Sequence, residues 1–229
     1  PTGVFVQARL GSTRLAGKIL LELRDGCLIQ HVMRATRGIG AAVHAVLTDA
    51  SSADVLRPLV RQEGFELFVG PEEDVLARYC QAARAWGVDE IIRVTGDNPL
   101  TSTSLAVRIQ REHRLQKMDL SHYLGIPWGT GVEVVQAAAL FQAEREARAA
   151  DEREHITTWL YRHADRFRIL EAPAPAGADL PQGRATVDTA EDLARLRRLF
   201  DDLYDGSPIE IHRVIPWLQA HPHEGPAHG

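Results

Sequence analysis

The sequence contains little cysteine, no long apolar run, and no signal-peptide pattern in its first residues. Its only cysteines, Cys27 and Cys80, have the spacing of neither a zinc site nor the disulfide framework of a secreted protein. No apolar run approaches the roughly 18 residues that a membrane-spanning helix requires. The first eight residues lack the basic start and the long apolar core of a signal peptide. We therefore expect a cytoplasmic protein that uses neither a membrane nor disulfide bonds.

Basic charge is also scarce, and nearly all of it is arginine. The 26 lysine and arginine side chains face 31 acidic ones, and the resulting net charge of −5 argues against nucleic acid as a partner. Lys18 and Lys117 are the only lysines, and although base composition accounts for this scarcity, it makes a lysine inside a motif conspicuous. The remaining composition, 45% hydrophobic and 25% charged, is that of an ordinary globular protein.

Apolar runs alternate with longer amphipathic stretches, and this alternation predicts an α/β fold with a mainly parallel sheet. The runs that predict strands are 4–8, 43–48, 66–69, 90–95, 167–171 and 184–187. The stretches that predict helices are 27–37, 53–63, 72–86, 102–116, 137–148, 151–163 and 189–203. From residue 119 the regular alternation of strands and helices gives way to short β-like pieces, which predicts a small α+β insertion at about 119–183. The insertion belongs to one domain over 1–220, and we expect a frayed tail at 221–229.

The segment after the first predicted strand carries positive charge and small residues. Residues 1–21 contain no acidic side chain, while Arg9, Arg14 and Lys18 surround Gly11-Ser12-Thr13. Ligands of open α/β sheets bind beyond the carboxyl ends of strands, and the N–H groups of a glycine-containing turn bind anions there. Arginines add charge-assisted bonds to phosphate oxygens. The segment predicts a triphosphate site, and a solvated basic loop is the alternative interpretation of the charge pattern.

Two familiar phosphate motifs do not fit this segment. A P-loop has four residues between its glycines and a serine or threonine after the lysine, whereas five residues separate Gly11 from Gly17 and Ile19 follows Lys18. The dinucleotide fingerprint G-x-G-x-x-G is absent from the sequence. A triphosphate bound here would need a phosphate-binding loop of a different type.

Asp97 is the first candidate metal ligand, because it comes two residues after the predicted strand 90–95, at the sheet edge where the cationic loop is also expected. Triphosphate chemistry needs a divalent cation, and Mg²⁺ typically takes one or two carboxylates together with phosphate oxygens. A carboxylate that faces phosphates without a cation between them would repel them. The alternative for the segment 96–99 is a turn with a local side-chain hydrogen bond, since Asp, Asn and Pro all favour turns.

Asp188 is the second candidate, because it follows the predicted strand 184–187 and precedes a predicted helix. Thr189 and Asp192 have the spacing of a capping box, so Glu191 and Asp192 are explained by the helix start. Asp188 lies outside that explanation. From the residues alone, both the metal-binding and the structural interpretation remain open for Asp97 and Asp188.

Two groups of residues in the predicted insertion are candidates for contact with a ligand. Glu133 follows a segment with two glycines, which allow the backbone to approach a ligand closely. Arg153, Glu154 and His155 open a predicted helix, where an anionic group is favoured. The alternatives are an ordinary first-turn acid for Glu154 and a local hydrogen bond for His155.

Residues 6–20, VQARLGSTRLAGKIL, resemble the signature of the cytidylyltransferases that make CMP-activated sugars. The branch they resemble is the spore-coat polysaccharide biosynthesis group, related to CMP-Kdo and CMP-sialate synthetases. The one departure is Ala16 where the signature has proline, and this removes no hydrogen-bond donor. The resemblance continues to about residue 200 through Gly70, Asp74-Val75-Leu76, Arg78-Tyr79, Gly96-Asp97-Asn98-Pro99, Arg153-Glu154-His155 and Val187-Asp188-Thr189-Ala190-Glu191-Asp192.

The resemblance implies a three-layer, Rossmann-like nucleotidyltransferase fold, a homodimer, and a role for each candidate. The cations that would hold the triphosphate and the leaving pyrophosphate are Arg9, Arg14 and Lys18. The nucleotide-binding residues would be Ala8, Gly11, Ser12, Asp74 and Arg78, although Asp74 and Arg78 are also explained as a surface pair on a helix. The metal ligands would be Asp97 and Asp188, holding Mg²⁺. The acceptor pocket would include Glu133, Arg153, Glu154 and His155.

The implied reaction joins CMP from CTP to an acidic sugar or a similar small-molecule acceptor and releases pyrophosphate, for the synthesis of cell-surface polysaccharide or glycoconjugate. One alternative is a glycosyltransferase that consumes a nucleotide sugar, but such enzymes usually lack a cationic loop after the first strand. The other is a nucleotide-binding domain without turnover. The presence of Lys18 together with Asp97 and Asp188 argues against this second alternative.

Overall fold

The secondary structure is described here from a computed structural model, for residues 1–11 and 15–222. In chain order its strands are β1 (Thr2–Gln7), β2 (Glu22–Leu23), β3 (Gly26–Cys27), β4 (Val43–Thr48), β5 (Glu66–Val69), β6 (Glu90–Thr95), β7 (Leu120–Leu124), β8 (Glu133–Gln136) and β9 (Ile169–Pro173). The α-helices are α1 (Leu28–Thr36), α2 (Ala50–Gln62), α3 (Val75–Trp86), α4 (Thr103–Gln116), α5 (Ala137–Glu146), α6 (Ala150–Glu154), α7 (Thr158–Arg162), α8 (Ala190–Leu203) and α9 (Ile211–Ala220). A short 3-10 helix spans Lys18–Leu20.

The main sheet has the strand order β5-β4-β1-β6-β8-β7-β9, and β2 pairs with β3 in a separate small hairpin. Strands β5, β4, β1 and β6 are parallel, whereas β8 runs antiparallel to both of its neighbours. The carboxyl ends of β1, β4, β5 and β6 therefore lie along one edge of the sheet. A mostly parallel sheet is what the sequence predicts.

Helices cover both faces of this sheet, so the predicted three layers are confirmed. Side chains alternate along β1: Val4 and Val6 pack into a cluster with α1, α2, α4, α8 and α9, while Phe5 packs on the other face with α3, α5 and α7. A central parallel strand buried on both faces has a continuous apolar sequence, and this explains why β1 lacks polar alternation. Residues 119–183 contribute three strands to the sheet and α5, α6 and α7 to one layer.

Two helical segments differ from the sequence-based prediction. The predicted helix 151–163 is interrupted, and α6 and α7 are separated by His155–Thr157. Ile156 and Thr157 are β-branched and begin a run that disfavours a continuous helix. Helix α9 was not predicted. Its N-cap residue, Glu210, makes no side-chain hydrogen bond to the first turn, so this helix begins without the cap that would have marked it in the sequence. Of the predicted tail 221–229, all but the first two residues lie outside the described part of the chain.

The predicted strand 184–187 is wrong. This extended segment forms a single parallel bridge between Arg184 and Trp128, outside the sheet. Its neighbour is a loop in which Gly129 has a φ of 92°, and that left-handed conformation ends any regular ladder. Asp188 consequently follows a loop segment and not a strand. Within the described residues, no helix is long and apolar enough to span a membrane.

Candidate active site

The loop after β1 folds back so that Lys18 returns to the end of the strand. The Leu10 N–H donates to Ser52 Oγ at 3.0 Å, and the Gly17 N–H donates to the Leu10 carbonyl at 3.2 Å, which closes the loop. Gly17 has a φ of 61°, a left-handed conformation that favours glycine, and it precedes the 3-10 helix that carries Lys18. The predicted site residues Ser12 and Arg14 lie outside the described residues.

Lys18 meets both of the predicted metal ligands. Its Nζ donates to Asp97 Oδ2 at 2.6 Å and to Asp188 Oδ1 at 3.2 Å. Nζ also donates to the carbonyl of Val187 at 2.8 Å. The fold thus brings together three candidates that are far apart in the sequence.

Close contact between the loops after β1 and β6 makes this arrangement possible. The Gly96 N–H donates to the Gln7 carbonyl at 2.8 Å, and a Cβ at Gly96 would lie only 3.0 Å from that same oxygen. A side chain at position 96 would therefore crowd the end of β1. On the other side, the Val187 N–H donates to the Asp97 carbonyl at 3.2 Å, and this bond holds the segment before Asp188 against Asp97.

The predicted capping box is confirmed beside Asp188. The Asp192 N–H donates to Thr189 Oγ1 at 3.1 Å, and Asp192 Oδ2 accepts from the N–H groups of Thr189 and Asp188 at 2.9 and 3.0 Å. Burial opposes ionisation of Asp192, but these hydrogen bonds outweigh it and lower the pKa of its carboxyl. Asp192 is therefore part of the helix cap, whereas Asp188 turns Oδ1 toward Lys18.

Arg184 is a further cation of this cluster, and the sequence analysis did not select it. Its Nη2 lies 3.4 Å from Asp188 Oδ2, and its Nε lies 3.7 Å from Asp192 Oδ1. No spacing motif marks an arginine four residues before a candidate ligand. Asp188 therefore lies between two cationic side chains, Lys18 and Arg184.

Asp97 and Asp188 fit a divalent cation that a ligand helps to hold. Within the described residues there is no group of three or more His, Cys, Asp or Glu side chains that could bind a metal without help. Two carboxylates that converge on one ammonium group nevertheless match the one or two carboxylates that Mg²⁺ uses beside phosphates. The residues present therefore suit a cation that arrives with a phosphorylated substrate.

Candidates for the nucleotide and acceptor sites contact one another along the same edge. Arg153 donates through Nε to Asp74 Oδ2 at 3.0 Å and through Nη2 to the same oxygen, while Asp74 Oδ1 caps α3. Arg9 Nη2 lies 3.5 Å from Glu154 Oε1, and both side chains are about half exposed. The expectation that Arg153–His155 open a helix is wrong, because α6 ends at Glu154 and His155 is its C-cap.

Arg78 is fully buried and does not form a surface pair with Asp74. Its Nε donates to the Pro71 carbonyl at 2.9 Å and its Nη2 donates to the Glu72 carbonyl at 2.8 Å. A Cβ at Gly70 would lie 2.7 Å from Arg78 Cγ, so glycine leaves room for this side chain. Burial lowers the pKa of the Arg78 guanidinium, although Asp49 opposes this change. Arg78 therefore fixes the loop after β5.

Ala8 and Gly11 lie on the first loop as predicted. Ala8 is buried, and its N–H extends the β1–β4 ladder by donating to the Leu47 carbonyl at 3.1 Å. Gly11 is exposed, and a Cβ at this position would meet no described atom within 4 Å. Crowding by the described residues therefore does not explain the glycine at position 11.

Glu133 is held inside the protein by a network that includes a residue the sequence analysis missed. Arg93, its direct partner on β6, donates to Glu133 Oε2 at 2.6 Å, and Tyr161 and Thr157 donate to Oε1 at 3.0 and 3.1 Å. Burial opposes ionisation of Glu133, but Arg93 outweighs it and lowers the pKa of the carboxyl. The sequence contained one indication of this pair: Arg93 is a charged residue within the mostly apolar run 90–95, and a charge buried in a sheet needs a partner of opposite charge.

Comparison with known proteins assigns the chain to a family. Residues 4–206 match the family model described as Cytidylyltransferase. The chain is 30% identical over 225 residues to the spore coat polysaccharide biosynthesis protein SpsF of Bacillus subtilis (strain 168), an alignment that covers 95% of this chain and 94% of that protein. It is 36% identical over 227 residues to a 3-deoxy-manno-octulosonate cytidylyltransferase of Anaeromyxobacter dehalogenans (strain 2CP-C), covering 96% of this chain and 84% of that protein.

Solved structures share the fold. A cytidylyltransferase from Leptospira borgpetersenii serovar Hardjo-bovis (strain JB197) has a TM-score of 0.88 at 24% identity and covers 96% of this chain and 94% of its own. A manganese complex of Rv0371C from Mycobacterium tuberculosis H37Rv has a TM-score of 0.60 at 18% identity and covers 86% of this chain and 97% of its own. Together with the family model, these findings confirm the resemblance: the chain belongs to the cytidylyltransferase family of nucleotidyltransferase enzymes.

Proposed function

We propose that the protein transfers CMP from CTP to an oxygen of an acidic sugar, or of a similar small-molecule acceptor, and releases pyrophosphate for polysaccharide or glycoconjugate synthesis. The observation that carries this proposal is the convergence of Lys18, Asp97 and Asp188 at the carboxyl edge of the parallel strands, where α/β sheets bind ligands. The relatives support it, since one is named for polysaccharide biosynthesis and another for cytidylyl transfer to 3-deoxy-manno-octulosonate.

Catalysis in this proposal consists of positioning and electrostatic stabilisation. Lys18, with Arg9 and Arg14, holds the triphosphate and stabilises the charge that develops on the leaving pyrophosphate. A divalent cation held by Asp97 and Asp188, Mg²⁺ in our proposal, neutralises charge on the phosphates when it is bound. The manganese complex of a protein with a similar fold supports a divalent cation.

The surrounding residues divide into those that face the substrates and those that act through other residues. We assign the backbone of Ala8, Gly11 and Ser12 to the nucleotide, because the first loop lies over the end of β1. Asp74 and Arg78 act as positioning residues for that site. Asp74 caps α3, and Arg78 donates to backbone carbonyls of the loop that precedes this helix.

In this proposal, residues of the insertion at about 119–183 bind the acceptor. We assign Arg153, Glu154 and His155 to the acceptor, because Arg153 and Glu154 contact Asp74 and Arg9 of the nucleotide side. Glu133 supports them as a positioning residue through its bonds to Tyr161, which lies within α7, and to Thr157, the N-cap of that helix. We also propose a homodimer that acts in the cytoplasm.

Pyrophosphate release tests this function. Each of the four nucleoside triphosphates is supplied with Mg²⁺ and a panel of acidic sugars that includes 3-deoxy-manno-octulosonate and a sialic acid, with the neutral sugars glucose and mannose as controls. We expect release with CTP and an acidic sugar, at a rate at least about tenfold above UTP, ATP or GTP. Equal rates with all four triphosphates, or release only with neutral sugars, would contradict the proposal.

A further inference from the structure

Asp97 and Asp188 share one cation in this structure, the ammonium group of Lys18. The three side chains are mostly shielded from solvent, with exposed fractions of 13% for Lys18, 24% for Asp97 and 14% for Asp188. An ammonium group has three N–H donors. Its acceptors here are also three: one oxygen of each carboxylate and the carbonyl of Val187. The hydrogen-bonding capacity of Lys18 is therefore fully used.

This set of acceptors is also a set of metal ligands. Two carboxylate oxygens and one backbone carbonyl are the oxygen donors that hard divalent cations take from proteins. A divalent cation that uses Asp97 Oδ2 and Asp188 Oδ1 competes with Lys18 for the same atoms. Two cations so close in a partly buried site also repel each other strongly.

We propose that Lys18 is the resident cation of this site and regulates its metal binding. In the absence of nucleotide, Lys18 keeps the two carboxylates together and opposes the binding of free divalent cations. A triphosphate offers the ammonium group other anionic oxygens, so the divalent cation gains its two carboxylates when the nucleotide binds. This inference rests on the proposed function, and it makes nucleotide and metal binding mutually favourable.

Binding of Mn²⁺ to the nucleotide-free protein tests the proposal, with free Mn²⁺ measured by electron paramagnetic resonance. Lys18→Met keeps the length of the side chain and removes the charge, and Lys117→Met makes the same change at the C-cap of α4. We expect Lys18→Met to bind one Mn²⁺ at least about tenfold more tightly than the wild type, because a competing cation has been removed. Lys117→Met should match the wild type.

Two further variants separate competition for shared oxygens from a change in net charge. Arg184→Gln removes a cation that pairs with Asp188 and Asp192, of which only Asp188 is a candidate metal ligand. We expect a clearly smaller gain in Mn²⁺ affinity than with Lys18→Met. Lys18→Met combined with Asp97→Asn should lose the tight site. Equal affinities of wild type and a folded Lys18→Met variant, or equal gains from Arg184→Gln, would overturn the proposal.

These outcomes remain distinct from failure of the proposed function. Wild-type pyrophosphate release from CTP, measured on the same preparation, reports the function without reference to Mn²⁺ affinity. If CTP turns over while Lys18→Met gains no affinity, only the role of Lys18 as a competing cation is wrong. If Lys18→Met gains affinity while CTP does not turn over, the competition stands and the proposed reaction is wrong.

Discussion

Strand β6 carries one ion cluster within its length and leads to another just beyond its end. Arg93, inside the strand, pairs with Glu133 of the neighbouring strand, and the remaining acceptor capacity of Glu133 is used by Tyr161 and Thr157. Asp97 follows the same strand and shares Lys18 with Asp188. Each cluster joins carboxylate to a cationic side chain, one acid in the first and two in the second, but the clusters differ in what surrounds them.

The surroundings determine what each cluster can do. Arg93 and Glu133 lie between sheet and helix, where a buried pair that loses one partner leaves an uncompensated charge. Lys18 and its carboxylates lie on loops at the edge of the sheet, where a ligand can offer replacement partners. The comparison predicts that changes to the first cluster affect mainly stability and changes to the second affect mainly turnover.

The largest effect is expected at the edge cluster. Asp97→Asn and Asp188→Asn keep a neutral oxygen but lose the charge, and each should lower kcat by about 10³-fold, the upper range for loss of one preorganised electrostatic group. Because the two act as a unit, the double variant should lose far less than the product of the single losses. Initial rates of pyrophosphate release measure this. Independent, multiplicative losses would indicate two unrelated roles.

Lys18→Ala is expected to have the next largest effect. It removes a donor to the leaving pyrophosphate, so kcat should fall by about 10²-fold. Lys117→Ala, at the other lysine of the chain, is the matched control and should retain wild-type turnover. If a folded Lys18→Ala protein has a normal kcat, Lys18 is a solvated loop residue that takes no part in catalysis.

The internal cluster should show the opposite behaviour. Glu133→Gln leaves Arg93 buried without its counter-charge, and we expect a loss of about 3 kcal/mol in the free energy of unfolding. Urea denaturation measures the loss. Glu144→Gln, which removes the partner of exposed Arg84, is the control and should cost less than about 1 kcal/mol. A Glu133→Gln protein of normal stability would remove the contrast between the two clusters.

A smaller effect is expected from the pH dependence of the same pair. The pKa of Glu133 in the folded protein lies below its ordinary value of 4.5, since Arg93 outweighs the cost of burial. The stabilisation by ionised Glu133 is therefore fully present above pH 4.5 and is lost as the pH falls through the lower, folded-state pKa. The difference in stability between wild type and Glu133→Gln should shrink below pH 4.5. A constant difference down to pH 3 would contradict this assignment.

The sequence predicts the framework better than the contacts at the site. The apolar runs 43–48 and 90–95 coincide with β4 and β6, because strands inside a parallel sheet are apolar until turn residues end them. The run 66–69 coincides with β5, an edge strand whose residues are exposed or half-buried. The predicted strand before Asp188 was wrong, since its single bridge partner, Trp128, lies in a glycine-containing loop. Pairing between strands depends on partners that an isolated segment does not specify.

Individual site residues were predictable where local chemistry singled them out. Lys18 stands in a loop without acids, and Asp97 ends a strand, so both could be selected before the fold was known. The contact between them depends on Gly96 and on the loop closed by Gly17, which spacing alone does not reveal. Arg184 belongs to no motif, and its position beside Asp188 follows only from the path of the chain.

The metal requirement of Asp97→Asn and Asp188→Asn tests the central claim most directly. Residual pyrophosphate release from CTP is titrated with Mg²⁺ in both variants and in the wild type. If the two carboxylates hold one cation, each variant should need at least about tenfold more Mg²⁺ for half-maximal rate, as for other losses at metal sites. An unchanged Mg²⁺ requirement in either variant would show that its aspartate is not a ligand, and the account of the site would be wrong there.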